Sequence, residues 1–340
     1  MVENSSEVGI VVVGTGMMGT DHLQRIPRSI AGARVVTVVD ADPARAERAV
    51  ELAPGARTAA SLTEALDHGD VGGVLIATPG STHYPLVMEA LEARIPILCE
   101  KPLTEDAASS WEILEAEMGG GERLIQVGFM RRFDRHHLEA KSVIAEGELG
   151  DPLIGRFVHR LDVAAPGFPE GFLIPESTVH EFDTARWFFD DEIRSIRVLK
   201  PRHNGFAKEG LKGPQLIVVT MNSGAISFVE SNLDCAYGYE VSGEITLERG
   251  TVEYGRPSGA SSRRDGQIAS PVTQNYRERF AGAYTGEIQA WVDGIRAGDI
   301  SGPSAWDGYA ATVAVEAGVR AQATGEEVPV FLPERPEFYA

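Results

Sequence analysis

The chain has 340 residues, more than a single domain usually contains, so two domains are expected. Its formal net charge of −19 argues against nucleic acid and anionic membranes as partners, because the summed field repels polyanions. Two cysteines exclude a disulfide framework, and neither a secretory signal nor an apolar run of about 20 residues is present, so we expect a cytoplasmic protein without a membrane segment.

The first 128 residues alternate strand and helix signals. Runs that are apolar on both faces, typical of a parallel sheet covered by helices, lie at Val8–Val13, Val35–Val39, Gly73–Ala77, Ile95–Cys99 and Leu124–Gly128. Helix signals lie between them at Met17–Arg28, Pro43–Leu52, Leu62–Leu66, Thr82–Ala93 and Glu105–Met118. This alternation predicts an α/β Rossmann domain, a doubly wound parallel sheet, over residues 1–128.

The pattern changes after a connecting helix at Arg135–Gly147. Strand-like runs then follow with little helix between them, at Leu153–Arg160, Ser195–Leu199, Leu216–Met221, Ala225–Asn232 and Val241–Leu247. The polar segment Tyr254–Gln274 predicts a long mobile loop, and two amphipathic helices close the chain at Arg279–Ala297 and Ala305–Thr324. Residues 129–340 are therefore predicted to form an α+β domain with a mostly antiparallel sheet, and packing of the C-terminal helices back on the first domain is left open.

A glycine pattern follows the first predicted strand and opens the first predicted helix. It reads Gly14-Thr15-Gly16-Met17-Met18-Gly19, the spacing of a dinucleotide-binding turn. The first glycine permits the tight turn, the second lets the backbone approach a pyrophosphate, and the third allows close packing of helix on strand. The backbone N–H groups at Met17 and Met18 then face the phosphates. An ordinary glycine-rich turn is the alternative.

An acidic residue ends the second predicted strand. Asp40 stands 21 residues after Gly19, where a carboxylate accepts from the ribose hydroxyls of NAD. The same carboxylate would repel the 2′-phosphate of NADP, so NAD is favoured, although Arg45 could partly offset this preference. The alternative is that Asp40 is only a turn residue. Thr78 and Pro79, which follow the predicted strand Gly73–Ala77, are predicted to line the same cofactor crevice.

The tripeptide Glu100-Lys101-Pro102 follows the apolar strand that ends at Cys99. Parallel strands of a doubly wound sheet deliver their carboxyl ends to the cofactor crevice. Glu100 and Lys101 are therefore predicted to contact the cofactor, and Lys101 is a candidate for hydride-transfer chemistry.

A second polar group falls at helical spacing. Glu176, His180 and Asp183 stand at i, i+4 and i+7 and would share one narrow stripe of a helix. The opposite side would bury Phe182, Ala185 and Phe189. An imidazole between two carboxylates is an oriented base, whereas a solvated polar helix face is the alternative. No metal-ligand spacing is present, so no metal is expected.

Taken together, these residues resemble the Gfo/Idh/MocA oxidoreductase family nearly end to end. The Glu-Lys-Pro and His180-Glu181-Phe182-Asp183 motifs are typical of the whole family. The similarity also includes Gln126–Arg132, His159-Arg160, Tyr237-Gly238-Tyr239 and Ser301–Tyr309. Within these, Phe129-Met130-Arg131-Arg132 and Ala305-Trp306-Asp307-Gly308-Tyr309 are particular to the inositol-acting members of the family.

The resemblance implies a large open sheet in the second domain, a homotetramer and a cis peptide between Lys101 and Pro102. It implies that Lys101 and His180 serve the reacting hydroxyl, assisted by Glu176, and that Asp183 binds another hydroxyl. Arg131, His159 and Tyr239 are further candidates for substrate contact, and a packing role is the alternative for Arg131 and Tyr239.

The expected activity is NAD-dependent oxidation of a ring secondary alcohol of an inositol, myo-inositol to 2-keto-myo-inositol. Glu176 replaces the aspartate of the family, and Leu161 and the stretch Asp162–Ile174 also depart from its pattern. Another cyclic polyol or sugar is therefore an alternative substrate. A non-catalytic NAD-dependent sugar sensor is an alternative of another class.

Overall fold

A computed structural model describes residues 7–161, 173–205, 213–233, 235–256 and 260–340. The chain folds into two compact units. Unit 1 comprises Met1–Met130, Tyr284–Thr312 and Glu334–Ala340, and unit 2 comprises Arg131–Ala283 and Val313–Pro333. The chain therefore leaves and re-enters unit 1. The sequence placed a boundary between residues 128 and 129 and left open whether the C-terminal helices pack back on the first domain.

Unit 1 is built on a parallel sheet. Its strands are β1 (Val8–Val13), β2 (Ala33–Val39), β3 (Arg57–Ala59), β4 (Gly73–Ile76), β5 (Ile97–Cys99) and β6 (Ile125–Val127). In space their order is β3-β2-β1-β4-β5-β6, which confirms the doubly wound fold. Strand order reverses between β1 and β4, so the ligand crevice of such a sheet is expected outside their carboxyl ends.

Helices connect these strands, and side chains cap three of the five described here. They are α1 (Met17–Ser29), α2 (Pro43–Ala49), α3 (Leu62–Leu66), α4 (His83–Glu92) and α5 (Ala107–Gly120). Asp42, Ser61 and Asp106 accept hydrogen bonds from the first turns of α2, α3 and α5. The predicted helix Pro43–Leu52 is shorter in the structure, because its last three residues form a 3₁₀ turn.

Unit 2 contains a mixed sheet that is mostly antiparallel, as expected. The strands of this sheet are β7 (Pro152–Arg160), β8 (Ile193–Leu199), β9 (Gln215–Met221), β10 (Ile226–Asn232), β11 (Glu240–Leu247), β12 (Gly250–Tyr254) and β15 (Glu327–Pro329). Two further strands, β13 (Ser262–Arg264) and β14 (Gln267–Ala269), form a separate hairpin. The sheet order is β12-β11-β7-β10-β9-β8-β15. Among the described residues only the β7–β10 pair of this sheet is parallel.

The hairpin of β13 and β14 corrects the predicted loop Tyr254–Gln274. Asp265 and Gly266 both have positive φ, of 51° and 74°, and so form the tight turn that joins two antiparallel strands. All residues of both strands are exposed, so no apolar alternation marks them. Residues 257–259 of the predicted loop lie outside the described residues.

The later helices are α6 (Arg135–Ala145), α7 (Val179–Phe189), α8 (Tyr276–Arg279), α9 (Ala281–Ala297) and α10 (Ala305–Thr324). The predicted helix Arg279–Ala297 is interrupted at Phe280, whose side chain is fully buried. In unit 1, Ile288, Trp291 and Val292 of α9 join the apolar core beneath β1 and β2. No helix in the described part of the chain has the length and apolar character needed to cross a bilayer.

Candidate active site

The glycine turn between β1 and α1 has the geometry that a bound pyrophosphate requires. Gly14 has φ +93°, and a Cβ there would lie 2.7 Å from the carbonyl oxygen of Ala77. A Cβ at Gly19 would lie 1.9 Å from the carbonyl oxygen of Gly14, so the helix can pack this closely only without a side chain. A Cβ at Gly16, by contrast, would meet nothing within 4 Å. The backbone at Gly16 therefore faces open space, where a cofactor phosphate fits.

The first turn of α1 is free of competing side chains. Gly16 is its N-cap, no side chain caps the helix, and the first turn contains no acidic residue. The backbone N–H groups of Met17 and Met18 lie in this turn, and the partial positive charge of a helix N-terminus favours an anion there. The residues present fit the diphosphate of a dinucleotide.

Asp40 joins the end of β2 to the glycine turn. Its Oδ2 accepts hydrogen bonds from the Thr15 N–H at 2.7 Å and the Thr15 hydroxyl at 2.6 Å, while Oδ1 accepts from the Asp42 N–H at 2.9 Å. Partial burial opposes ionisation, but these hydrogen bonds outweigh it, so the pKa of Asp40 is lowered. Asp40 is therefore an ionised acceptor at the crevice as well as a turn residue. Arg45 pairs with Asp42 at 3.6 Å and is largely exposed.

The residues after β4 and β5 lie at the same edge of the sheet, because both strands are parallel. The Thr78 hydroxyl accepts a hydrogen bond from Thr82 at 2.8 Å, and Pro79 caps the short turn before α4. Glu100 is buried, and Lys101 is half-buried. The Lys101–Pro102 peptide is cis, which confirms that expectation. The structure thus brings Thr78, Pro79, Glu100 and Lys101 to one edge of unit 1.

In unit 2, the predicted stripe of Glu176, His180 and Asp183 does not lie on one regular helix. Leu173–Thr178 forms a π-helical turn, and α7 begins only at Val179. The spacing of 100° per residue therefore holds from His180 to Asp183 but not back to Glu176, which is exposed in the wider turn. Short π-helical turns are frequent at functional sites.

The solvated-face alternative is excluded for two of these three residues. His180 is 8% exposed and Asp183 is 1% exposed. Helix α7 is buried on every side except at Trp187, which confirms the predicted burial of Phe182, Ala185 and Phe189. An imidazole and a carboxylate enclosed in this way need a chemical reason to be there.

Asp183 is held by an arginine that the sequence did not single out. Arg132 donates two hydrogen bonds to it, from Nε to Oδ2 at 3.1 Å and from Nη2 to Oδ1 at 2.6 Å. The pairing balances a charge that would otherwise be buried alone, and it fixes the plane of the carboxylate.

Arg131, His159 and Tyr239 are brought together around Glu181, which was not predicted as a site residue. Arg131 forms a buried ion pair with Glu181. His159 Nδ1 lies 3.3 Å from Glu181 Oε2, and its Nε2 lies 3.4 Å from the Tyr239 hydroxyl. Burial alone would raise the pKa of Glu181, but Arg131 and His159 lower it to about 2. The cluster is therefore a rigid, charged support, and direct contact of its members with substrate stays a prediction.

Family models match both halves of the chain. Residues 8–129 match the model described as an oxidoreductase family with an NAD-binding Rossmann fold, and residues 137–253 match the GFO/IDH/MocA C-terminal domain. The chain belongs to the Gfo/Idh/MocA oxidoreductase family. The family places the glycine turn in an NAD-binding domain and confirms the resemblance drawn from the motifs.

Curated relatives in this family match over nearly the whole chain. Inositol 2-dehydrogenase 4 of Saccharopolyspora erythraea is 44% identical over 99% of this chain and 100% of its own length. Inositol 2-dehydrogenase of an Arthrobacter species is 46% identical over 97% of this chain and 98% of its own. The crystal structure of Lactobacillus casei myo-inositol dehydrogenase with NAD(H) and myo-inositol superposes with a TM-score of 0.95, at 32% identity over 98% of this chain and 100% of that one.

Proposed function

We propose that this member of the Gfo/Idh/MocA family is an NAD-dependent inositol 2-dehydrogenase. It oxidises a ring secondary alcohol of an inositol to a ketone, myo-inositol to 2-keto-myo-inositol. The observation that carries the proposal is the end-to-end similarity to relatives of that name, together with an enclosed His180 and a lysine at the cofactor end of β5. A small polyol is thus the partner of this site.

NAD⁺ supplies the hydride acceptor of the reaction when it is bound. Asp40 accepts from its ribose and favours NAD over NADP, because a second negative charge there would be repelled. The remaining residues assigned to the cofactor are Gly14, Gly16, Met17, Met18, Gly19, Thr78, Pro79, Glu100 and Lys101.

We assign the proton chemistry to Lys101, His180 and Glu176. As the C–H bond of the substrate gives up its hydride, the O–H proton passes to the imidazole of His180, leaving a ketone. The ammonium of Lys101 donates a hydrogen bond to the same oxygen and stabilises its developing negative charge. Glu176 holds or relays the proton. Whether His180 or Lys101 is the formal base is left open.

The other hydroxyls of the ring are assigned to the polar residues of unit 2. Asp183 accepts from one of them, and its pairing with Arg132 keeps the accepting oxygens fixed. Arg131, His159 and Tyr239 complete the proposed substrate contacts. Leu161 stands at the end of β7, and residues 162–172 of the divergent stretch Asp162–Ile174 lie outside the described residues.

The test measures NADH formation with myo-, scyllo- and D-chiro-inositol, D-glucose and levoglucosan, with NADP⁺ and a Lys101→Met variant alongside. We expect turnover of an inositol with NAD⁺ and a loss of about 10²–10⁴-fold in kcat for the variant. Turnover of a sugar alone would move the assignment to another cyclic polyol. NAD binding without turnover of any of them would favour the sensor, and intact turnover by Lys101→Met would overturn the mechanism.

We also infer a homotetrameric protein of the cytoplasm. One face of the unit 2 sheet carries partly exposed apolar side chains, Ile154, Val158, Leu216, Val218, Ile226 and Phe228. Such a face is typical of a surface that another subunit covers. Both cysteines are free thiols, which fits a reducing compartment.

A further inference from the structure

Two buried histidines of unit 1 contact the residues on either side of Lys101. His22, on α1, places its Nε2 2.8 Å from Oε1 of Glu100. His83, the first residue of α4, places its Nδ1 2.7 Å from the carbonyl oxygen of Pro102. The two residues are only 1% and 0% exposed. Lys101 therefore lies between Glu100 and Pro102, each of which is contacted by a ring nitrogen of a buried histidine.

His83 also reaches the neighbouring strand end. Its Nε2 lies 2.9 Å from the carbonyl oxygen of Thr78, after β4. Both ring nitrogens of His83 therefore lie within hydrogen-bonding distance of a backbone carbonyl oxygen. The thiol of Cys99 lies 3.4 Å from Nδ1, and burial and the charge of Glu100 raise the pKa of that thiol. One ring thus ties the turn after β4 to the turn after β5.

His22 fixes the other side. The carboxylate of Glu100 accepts from its Nε2–H, which selects the ring tautomer. The ring meets Tyr284 edge-on at a centroid distance of 6.0 Å. A Cβ at Gly128 would lie 3.0 Å from Glu100 Oε2, so the carboxylate occupies the space that the glycine leaves. Glu100 is therefore enclosed from two directions.

We propose that His22 and His83 are positioning residues for Lys101. His22 holds the side chain of Glu100 and His83 holds the backbone carbonyl of Pro102, so that together they present the amine at the cofactor end of the sheet. The helices that carry them follow β1 and β4, the two strands at which strand order reverses. A lysine has four rotatable bonds and a large rotamer entropy, so a fixed backbone limits where its amine can be. The inference rests on the proposed function in that Lys101 acts there on the substrate oxygen.

A double-mutant cycle tests the proposal through turnover. His22→Leu and His83→Leu, each in an otherwise wild-type chain, are expected to lower kcat about 10²-fold, because misplacing a reacting group by about 1 Å costs this much. In a Lys101→Met background the same substitutions are expected to change the residual kcat little, since groups that act through one another are not additive. His22→Gln keeps a donor and should retain most activity.

The control is His68→Leu, because His68 is an exposed histidine of unit 1 whose Nδ1 contacts a backbone oxygen of its own turn. It should leave kcat unchanged in both backgrounds. Equal losses for His22→Leu or His83→Leu with and without Lys101 would overturn the proposal, because they would reveal a general loss of structure.

A second measurement needs no turnover. The chain has five lysines, so isotope labelling of lysine gives few side-chain NMR signals, and Lys101 is assigned by its loss in Lys101→Met. We expect a distinct Lys101 signal that moves toward the average of exposed lysines in either leucine variant. An unmoved signal would overturn the positioning role. Because the NMR readout is independent of substrate, its success with no inositol turnover would contradict only the proposed function.

Discussion

At the scale of single residues, Glu287 is a buried acid that the proposed chemistry does not use. It is 1% exposed, and its Oε1 has no hydrogen-bond partner among the described residues. Burial, and then the charge of Glu100, raise its pKa well above the ordinary 4.5, while Arg25 opposes the shift. The native protein therefore holds a proton on Glu287 at pH values where the unfolded chain has released it.

This difference makes stability depend on pH in a definite direction. Below 4.5 both states are protonated, and above it the unfolded state alone loses the proton, so Glu287 destabilises the fold increasingly as pH rises toward its native pKa. Glu287→Gln should remove the effect. The free energy of unfolding of the variant should therefore exceed that of the wild-type protein by about 1.4 kcal/mol more for each pH unit above 4.5, up to the native pKa. Urea unfolding of both proteins over this range measures it. Parallel stability curves would contradict the prediction.

At the scale of elements, two glycines of the turn between β1 and α1 have different roles: Gly16 is needed for cofactor binding and Gly19 for folding. Gly16 has φ −66° and ψ −158°, which any residue adopts, and its Cβ would enter open space. Gly16→Ala should therefore fold normally but bind NADH much more weakly. Gly19→Ala would place a Cβ 1.9 Å from the Gly14 carbonyl oxygen, so overpacking should cost about 1–3 kcal/mol or more despite the better helix propensity of alanine.

The two variants serve as controls for each other when thermal unfolding and NADH fluorescence are measured together. A stable Gly19→Ala protein would contradict the packing argument. Unchanged NADH affinity in Gly16→Ala would show that the cofactor does not approach this backbone.

The same elements show which parts of the fold can be predicted from the sequence. The strands of unit 1 with apolar runs were predicted, because burial on both faces leaves a signal in composition. Strand β3 was missed, since Arg57-Thr58-Ala59 pairs only at one edge and carries no apolar run. The π-helical turn before α7 was also missed, because helical spacing assumes 100° per residue throughout. Glu176 therefore does not lie on the helix face that the spacing predicted it to share with His180 and Asp183.

For the candidate site, the sequence predicted the local motifs but not the residues that hold them in place through long-range contacts. The glycine turn and Glu100-Lys101-Pro102 have fixed local spacing, so the sequence places them correctly at strand ends. His22, Arg132 and Glu181 act through partners 78, 51 and 50 residues away. No local pattern predicts such pairs, since they depend on which strands become neighbours.

At the scale of the whole molecule, the proposed tetramer can be tested on the partly exposed face of the unit 2 sheet. Phe228 lies on β10, opposite Val218 of β9 and Arg156 of β7, among apolar neighbours. Phe228→Glu would place a charge where a partner subunit is proposed to bury it, and Arg156, the cation opposite, already pairs with Glu244 at 3.2 Å. Light scattering should then show a mass near 36.6 kDa in place of four times that value.

Ile268→Glu is the matched control, because Ile268 is 70% exposed on the separate hairpin and not on this face. It should leave the tetramer intact. Phe228→Glu should also keep its NADH affinity, since the residues assigned to the cofactor all belong to unit 1. A wild-type chain that is monomeric at all concentrations would contradict the tetramer, and a tetramer that persists in Phe228→Glu would show that the subunits meet through another surface.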